Sequence, residues 1–235
     1  MHDSDTGHET MEATPRSRSV PLWVLVCLLA LLLMAVGYIQ FWLPLQARRN
    51  LAAQIESLGG SVEYREVGPD WLRKFTGRSR SPTTLSTTGG ILDQVKSVRI
   101  CPSQYPIIHP HGPPRVPIPQ ELVRQLRMFE ELTLLDLSYT TADDDWLPDI
   151  AELKSLRLLG LTQTLVQGDG FHHLARLHDL KLLKVRCCPI HDQNLDQLVP
   201  VTSLKLLGIG QCSHLTSAGL DEFQQARPDC VLVVE

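Results

Sequence analysis

The chain lacks the sequence features on which most enzymes and nucleic-acid-binding proteins depend. It contains no glycine-rich phosphate loop, no nucleophile elbow and no pair of carboxylates at a catalytic spacing. Of its 235 residues, 22 are basic and 26 acidic, which gives a net charge of −4 and no basic excess to face phosphates. The sequence therefore predicts no enzyme, no cofactor and no nucleic-acid partner.

A disulfide framework is also missing. Six cysteines are present, but Cys27 lies inside a long apolar run and the remaining five are an odd number. An odd count argues against a set of paired cysteines and leaves the redox compartment open.

The apolar run is the first feature that the sequence does have. No charged residue occurs between Pro21 and Leu45. As a helix, Leu22–Leu43 would span about 33 Å, close to the roughly 30 Å of a bilayer core. Trp23 at one end, and Tyr38 and Trp42 at the other, fit the aromatic belts of a spanning helix. We expect a transmembrane anchor over residues 21–45.

The alternative is a cleaved secretory signal ending near Leu45-Gln46-Ala47. It is disfavoured because the apolar stretch exceeds the about 7–15 residues usual for such signals. Arg16 and Arg18 precede the run and Arg48 and Arg49 follow it, so the positive-inside rule leaves the orientation undetermined. Residues 1–20 are polar and aperiodic, which predicts a disordered tail.

Residues 46–94 predict a juxtamembrane helix and an N-terminal cap region. Leu51, Ile55 and Leu58 share one helical face, and Gly59-Gly60 suits a C-cap. The segment 61–67 alternates as a short strand, 69–77 predicts a short helix carrying Trp71, and 78–90 has the composition of a loop.

Beyond residue 94 the chain repeats itself every 24 residues. Four segments share the pattern L-x-x-L-x-L, with a small polar residue or cysteine at the ninth position. The columns are Leu132, Leu156, Leu180 and Leu204 (first); Leu135, Leu159, Leu183 and Leu207 (fourth); Leu137, Leu161, Val185 and Ile209 (sixth); and Thr140, Thr164, Cys188 and Cys212 (ninth).

Each unit also has a second apolar set at i, i+3, i+6, such as Phe171, Leu174 and Leu177. Period-two apolar residues together with this set predict strand, turn and helix in every unit. An earlier, degenerate unit begins at Val95, its turn stretched by residues 101–119, where seven prolines exclude a helix. The last segment, 229–235, predicts a closing strand.

These columns resemble the leucine-rich repeat family, in its cysteine- or threonine-containing subtype known from F-box proteins. The whole chain is similar to membrane-anchored bacterial leucine-rich repeat proteins of unknown role. The resemblance implies an α/β solenoid over residues 95–235, of about five repeats, with parallel strands on the concave side and helices on the convex side. It also implies a bacterial cell membrane as the location.

The ninth position is where each strand ends, so a small polar side chain there can satisfy buried backbone groups. We therefore interpret Cys188 as a buried structural residue and not as a metal ligand or redox group. The repeat histidines occupy different alignment positions, so we expect them not to converge and predict no metal site. Asp143-Asp144-Asp145, Asp169, Asp192 and Thr216 or Ser217 are interpreted as helix caps.

The outward strand positions supply the predicted binding site. The third position is leucine in all four units although the repeat does not require an apolar residue there. We name this column the leucine ridge: Leu134, Leu158, Leu182 and Leu206. Either a partner binds it, or the loop at 102–119 or the segment around Trp71 covers it. The other predicted contact residues are Tyr139, Gln163, Lys184, Arg186 and Gln211.

This surface suits two functions. The first is a non-enzymatic, membrane-anchored module that binds another protein through the leucine ridge. The second is a structural membrane component in which the ridge or the open end of the array pairs with another copy of the chain.

Overall fold

The computed structural model describes residues 21–65, 94–100 and 115–234. The chain divides into two compact units, Met1–Pro44 and Leu45–Glu235. The predicted tail over 1–20, the short helix around Trp71, the loop at 78–90 and residues 101–114 of the proline-rich loop all lie outside the described residues.

The first unit contains the apolar helix. It runs over Leu22–Gly37 with no buried residue and continues through a π-helical turn, Tyr38–Trp42, which the sequence did not predict. The side chains of Trp23 and Met34 are 68% and 64% exposed. By length and composition the helical stretch Leu22–Ser57 is able to cross a membrane, a property that signal sequences share.

The helix Leu43–Ser57 buries Leu51, Ala52 and Ile55, in agreement with the predicted apolar face. The helix ends at Ser57, and the chain turns at Gly59, whose φ of +80° is available to glycine without strain. The amide of Gly60 donates a hydrogen bond to the Ile55 carbonyl at 3.0 Å, which closes the last turn. The predicted glycine C-cap is therefore confirmed.

The second unit is built on a seven-stranded sheet whose spatial order follows the chain order. Strand β1 pairs antiparallel with β2, with a register shift between Glu63 and Tyr64, and every later pair is parallel. The strands are β1 Ser61–Arg65, β2 Gln94–Arg99, β3 Leu134–Asp136, β4 Leu158–Gly160, β5 Leu182–Lys184, β6 Leu206–Gly208 and β7 Val231–Val233.

Strand register reproduces the 24-residue alignment. The fourth-position leucines, Leu135, Leu159, Leu183 and Leu207, pair with one another in sequence order, and none has any exposed surface. The column is extended by Val98 at one end and Leu232 at the other. The interior leucine column and the closing strand are therefore confirmed, and the strand predicted to begin the degenerate first unit pairs in parallel with β3.

The helical segments are shorter and tighter than predicted. The segments Asp144–Trp146, Phe171–Arg176 and Asp196–Leu198 are 3₁₀ helices, whereas Leu147–Ile150 and Asp192–Leu195 are single α-turns. The apolar spacing explains this, because i, i+3 and i+6 fall on one line in a helix of three residues per turn. Longer α-helices occur at the ends, at Gln120–Gln125 and Ser217–Ala226.

The described end of the proline-rich loop lies beside the strand ends. Val116 forms a parallel bridge with Thr140, and its amide donates to the Tyr139 carbonyl at 2.7 Å. The Arg115 side chain donates to the carbonyls of Gln163 and Thr164. Residues 115–116 thus lie along the eighth and ninth positions, at the opposite end of the strands from the leucine ridge.

Candidate functional site

The leucine ridge forms one continuous row. Leu134 pairs with Leu158, Leu158 with Leu182, and Leu182 with Leu206, in four neighbouring parallel strands. All four side chains are partly exposed, while their fourth-position neighbours are fully buried. Neighbouring strands are about 4.8 Å apart, so the row is a contiguous apolar strip on the open face of the sheet.

The fifth position flanks this strip with two charged side chains of opposite sign. The Asp136 carboxylate lies against Gly160, where an added Cβ would meet it, and accepts a hydrogen bond from the Ser138 amide at 3.0 Å. Lys184 is exposed, and its Cγ lies 3.5 Å from the position of a Cβ on Gly208. Each glycine thus makes room for the charged side chain of the preceding strand.

The remaining predicted contact residues lie beyond the strands. Arg186 is partly exposed at the seventh position. At the eighth position Tyr139, Gln163 and Gln211 all have left-handed backbones, with φ of 62°, 57° and 54°, and so does Cys187 at 54°. The outward direction of this column was predicted, but its left-handed backbone was not.

The ninth position satisfies backbone groups, as predicted. The hydroxyls of Thr140 and Thr164 donate to the sixth-position carbonyls of their own units, at 2.6 and 2.8 Å. The thiols of Cys188 and Cys212 instead donate to the sixth-position carbonyls of the preceding units, Leu161 at 3.0 Å and Val185 at 3.2 Å. The cysteines therefore link neighbouring repeats through main-chain carbonyls, and the Thr164 hydroxyl also lies 3.5 Å from the Cys188 thiol of the next repeat.

Burial disfavours the reactive thiolate form of Cys188. It is 2% exposed, and burial raises the pKa of its thiol despite the nearby Thr164 hydroxyl. Burial likewise raises the pKa of Cys212. A thiol kept protonated is a poor nucleophile and a poor metal ligand, which agrees with the structural interpretation.

The predicted caps are confirmed only at Thr216, whose hydroxyl accepts from the Gly219 amide at 3.1 Å. The aspartates were interpreted wrongly. Asp144 accepts hydrogen bonds from the amides of Gln167, Gly168 and Gly170 in the next unit, and Asp192 accepts from the amide and hydroxyl of Thr216. Each carboxylate holds the turn of the next repeat, because successive turns stack on one another.

Two of the histidines do meet, which corrects the prediction that they stay scattered. His191 and His214 form a parallel bridge, and their rings stack with centroids 4.4 Å apart. Their sequence separation of 23 differs by one from the repeat length of 24, so the alignment places the two histidines in different columns. Within the described ranges no group of three or more potential ligands gathers around a point where a metal ion could bind.

Arg227 is a buried residue whose role the sequence did not predict. It is 5% exposed and donates to the carbonyls of Val201 at 2.7 Å and Leu204 at 2.9 Å, with longer bonds to Leu198 and Val199. Arg227 also donates hydrogen bonds to the Asp229 carboxylate. These bonds, and to a smaller extent the hydrogen bond from Lys205, hold the pKa of Asp229 well below its usual range.

Asp149 plays a comparable part near the other end of the array. It accepts hydrogen bonds from Gln120 at 2.9 Å, Arg124 at 3.0 Å and Arg127 at 2.6 Å. Burial by itself would raise the pKa of Asp149, but the hydrogen bonds and charge of Arg124, with help from Gln120 and Arg127, outweigh it and lower the pKa. The group joins the first helix of the array to the second.

A small cavity of about 70 Å³ lies near Arg48, Tyr64 and Phe129. It has room for a few ordered water molecules. Among the described residues of the second unit, the exposed sheet face with the leucine ridge is the surface that best suits recognition of another molecule.

Comparisons with solved structures give partial similarities at low sequence identity. The chain is similar to an internalin from Listeria monocytogenes, with 16% identity, a TM-score of 0.39, and 48% of this chain and 30% of the other covered. It is also similar to internalin C2 of the same organism (17%, TM-score 0.37, 48% and 46% covered). A third similar structure is actin-binding site 2 of leiomodin-1 (21%, TM-score 0.37, 48% and 73% covered).

The chain thus spans less than half the length of the two internalins. No family model and no curated protein matches it. Similarity at this level says nothing about partners. The assignment of a leucine-rich repeat fold depends on the 24-residue register, the parallel sheet and the buried leucine columns.

Proposed function

We propose that this is a non-enzymatic, single-pass membrane protein that presents a leucine-rich repeat array as a protein-interaction module. Its proposed parts are a tail at 1–20, an anchor at 21–45 centred on Leu22–Leu43, a juxtamembrane and cap region at 46–94, and the array at 95–235. The exposed apolar first helix supports the anchor, because such a surface is stable in lipid and not in water.

The leucine ridge is the observation that carries the proposal. Four leucines in register, partly exposed, form a continuous apolar strip, and such strips on soluble surfaces mark interaction sites. Lys184 and Arg186 lie beside it, and Tyr139, Gln163 and Gln211 form a polar column at the strand ends. An apolar centre with a polar rim is the usual anatomy of an interface.

The test is a quantitative comparison of co-purified proteins from cells that express the full chain. Leu158→Asp and Leu182→Asp introduce a carboxylate into the ridge at partly exposed positions, where we expect the fold to tolerate it. We expect both to lose the same specific partner. The matched control is Leu165→Asp, since Leu165 is 40% exposed and lies in a turn outside the ridge. A partner retained by both ridge variants, with the far-UV circular dichroism unchanged, would contradict the proposal.

Self-assembly is the second candidate, and the last strand supports it. β7 is the outermost strand of the sheet, and Val231 and Val234 are each 60% exposed. An exposed edge strand with apolar side chains favours pairing with another strand. Analytical ultracentrifugation of the full chain in detergent separates the two candidates, because a monomer at all concentrations eliminates the self-assembly hypothesis.

Membrane orientation limits which partners are available. Cys187 is partly exposed, with its thiol donating to the Gln211 side chain at 3.0 Å. Labelling of intact cells with a membrane-impermeant maleimide reports its side, provided that Cys101 is replaced by serine. Labelling of Cys187 places the array outside the cytoplasm, and its absence, with labelling restored after lysis, places the array inside.

A further inference from the structure

A column of cations runs alongside the leucine ridge, at the second position of the repeats. Backbone hydrogen bonds of 2.8–2.9 Å stack these residues in order: the Thr133 amide donates to Lys96, Arg157 to Thr133, Lys181 to Arg157, and Lys205 to Lys181. Four of these five stacked residues are basic, and the side chains of all four are exposed. We name Lys96, Arg157, Lys181 and Lys205 the basic column.

Among the described residues, most of this charge has no ion-pair partner. Lys205 pairs with Asp229 at 2.7 Å. In residues 21–65, 94–100 and 115–234, the side chains of Lys96, Arg157 and Lys181 have no carboxylate within ion-pair distance. Like charges on neighbouring strands are destabilising, so this arrangement works against the stability of the isolated fold.

The column contrasts with the chain as a whole, whose net charge is −4. Cations next to an exposed apolar strip are complementary to a ligand that places carboxylates next to apolar groups. The fifth position, on the other flank of the ridge, carries both Asp136 and Lys184. Such a mixed flank fits a partner with patterned charge better than the uniform charge of an anionic lipid surface.

Spacing identifies the conformation of that partner. Ridge leucines recur about every 4.8 Å across the strands. Apolar residues on one face of an α-helix recur about every 5.4 Å, whereas alternate residues of an extended chain recur about every 6.6 Å. The spacing of apolar residues on a helix lying across the strands therefore matches the spacing of the four ridge leucines more closely than the spacing on an extended peptide does.

We infer that the leucine ridge and the basic column together bind an acidic amphipathic α-helix of a partner protein, with its carboxylates facing Arg157 and Lys181. This inference rests on the proposed interaction function and names the chemical class of the partner. The apolar stripe of the helix lies on Leu134, Leu158, Leu182 and Leu206.

The test uses the full chain in nanodiscs of phosphatidylcholine and a fluorescent synthetic helix of about four turns. The leucines of this synthetic peptide occupy positions i, i+3, i+7 and i+10, and glutamates flank the leucines. One control peptide has lysines in place of the glutamates, and another has the same composition in scrambled order. We expect the acidic helix alone to raise fluorescence anisotropy, with an affinity that falls as salt is added.

Charge-reversal variants then locate the contact. Lys181→Glu should weaken binding of the acidic helix by about tenfold or more and allow the lysine peptide to bind. Arg176→Glu is the matched control, because it changes the net charge equally but lies in the helical segment Phe171–Arg176, away from the open sheet face. It should leave the affinity within about twofold.

Three results would overturn the inference. They are equal binding of all three peptides, no binding of the acidic helix, and an equal loss of affinity for the acidic helix in Lys181→Glu and Arg176→Glu. Binding of phosphatidylserine vesicles that depends on Lys181, without peptide binding, would assign the basic column to lipid instead. If the ridge variants still lose a co-purified protein while no peptide binds, the interaction function stands and only the acidic helix is wrong.

Discussion

Arg227→Met is the substitution whose effect the structure specifies most completely. Methionine keeps most of the apolar stem of the side chain and removes the guanidinium. The carbonyl of Leu204 then loses a donor at 2.9 Å, and that of Val201 loses one at 2.7 Å. The Val201 carbonyl keeps a bond from the Leu204 amide at 3.1 Å, so the two losses are unequal.

The magnitude comes from these two bonds. A hydrogen bond to a charged group contributes about 1.5–3 kcal/mol, and a buried carbonyl left without a donor costs about 1–3 kcal/mol. We therefore expect Arg227→Met to lower the free energy of unfolding by about 3–5 kcal/mol, a large part of the about 5–15 kcal/mol of a typical domain. The ion pair with Asp229 adds little to this loss because that carboxylate is partly solvated.

Urea titration of the full chain in detergent, monitored by far-UV circular dichroism, measures the change. Arg176→Met is the control: Arg176 is 54% exposed and pairs with Glu152 at 2.6 Å, so its loss should cost less than about 1 kcal/mol. If the two variants unfold at the same urea concentration, the guanidinium of Arg227 does not hold the last turn as described.

Four further predictions concern the array. Leu183→Ala should cost about 2–5 kcal/mol and Leu182→Ala less than about 1 kcal/mol, measured by the same titration, because only the first is fully buried. Cys188→Thr should stay within about 1 kcal/mol of the wild type, since threonine fills this position in two other units, whereas Cys188→Lys should unfold the array. Cys187→Val should be less stable than Cys187→Asn, because a β-branched residue does not tolerate φ of 54°. Asp149 contributes stability that is present above the unfolded pKa of about 3.9 and is lost as pH falls through its lowered folded pKa. In the Asp149→Asn variant the free energy of unfolding should therefore fall less steeply as the pH is lowered through this range.

Features that repeat with a fixed period were predictable from the sequence. The 24-residue spacing placed Leu135, Leu159, Leu183 and Leu207 in one buried column and assigned the ninth position to backbone hydrogen bonds. Such predictions succeed because stacking units must present equivalent side chains to one another. The closing strand at Val231–Val233 was predicted by the same reasoning.

Helix type and turn conformation were less accessible. The spacing i, i+3, i+6 was interpreted as α-helical, but a strict period of three belongs to a 3₁₀ helix, as Phe171–Arg176 shows. The left-handed residues at the eighth position gave no signal because none of them is glycine or asparagine. Tertiary packing holds these backbones in a conformation that their side chains do not favour.

Contacts between units escaped prediction when the partners differ in type. Asp144 was assigned to its own helix, yet it holds the amides of the next turn. Arg227 binds carbonyls of residues 198–204, and no sequence pattern pairs one arginine with a set of main-chain groups. The binding residues proposed from the sequence do share one face of the sheet, but their contact with a partner stays a prediction.

Site-specific photo-cross-linking in intact cells tests the interaction surface most directly. A photoreactive amino acid at Leu158 or Leu182 should form an adduct with one partner protein, whereas the same amino acid at Leu165 or His172 should not. Adducts from the turn and helix positions, with none from the ridge, would show that the open sheet face is not where this protein meets its partner.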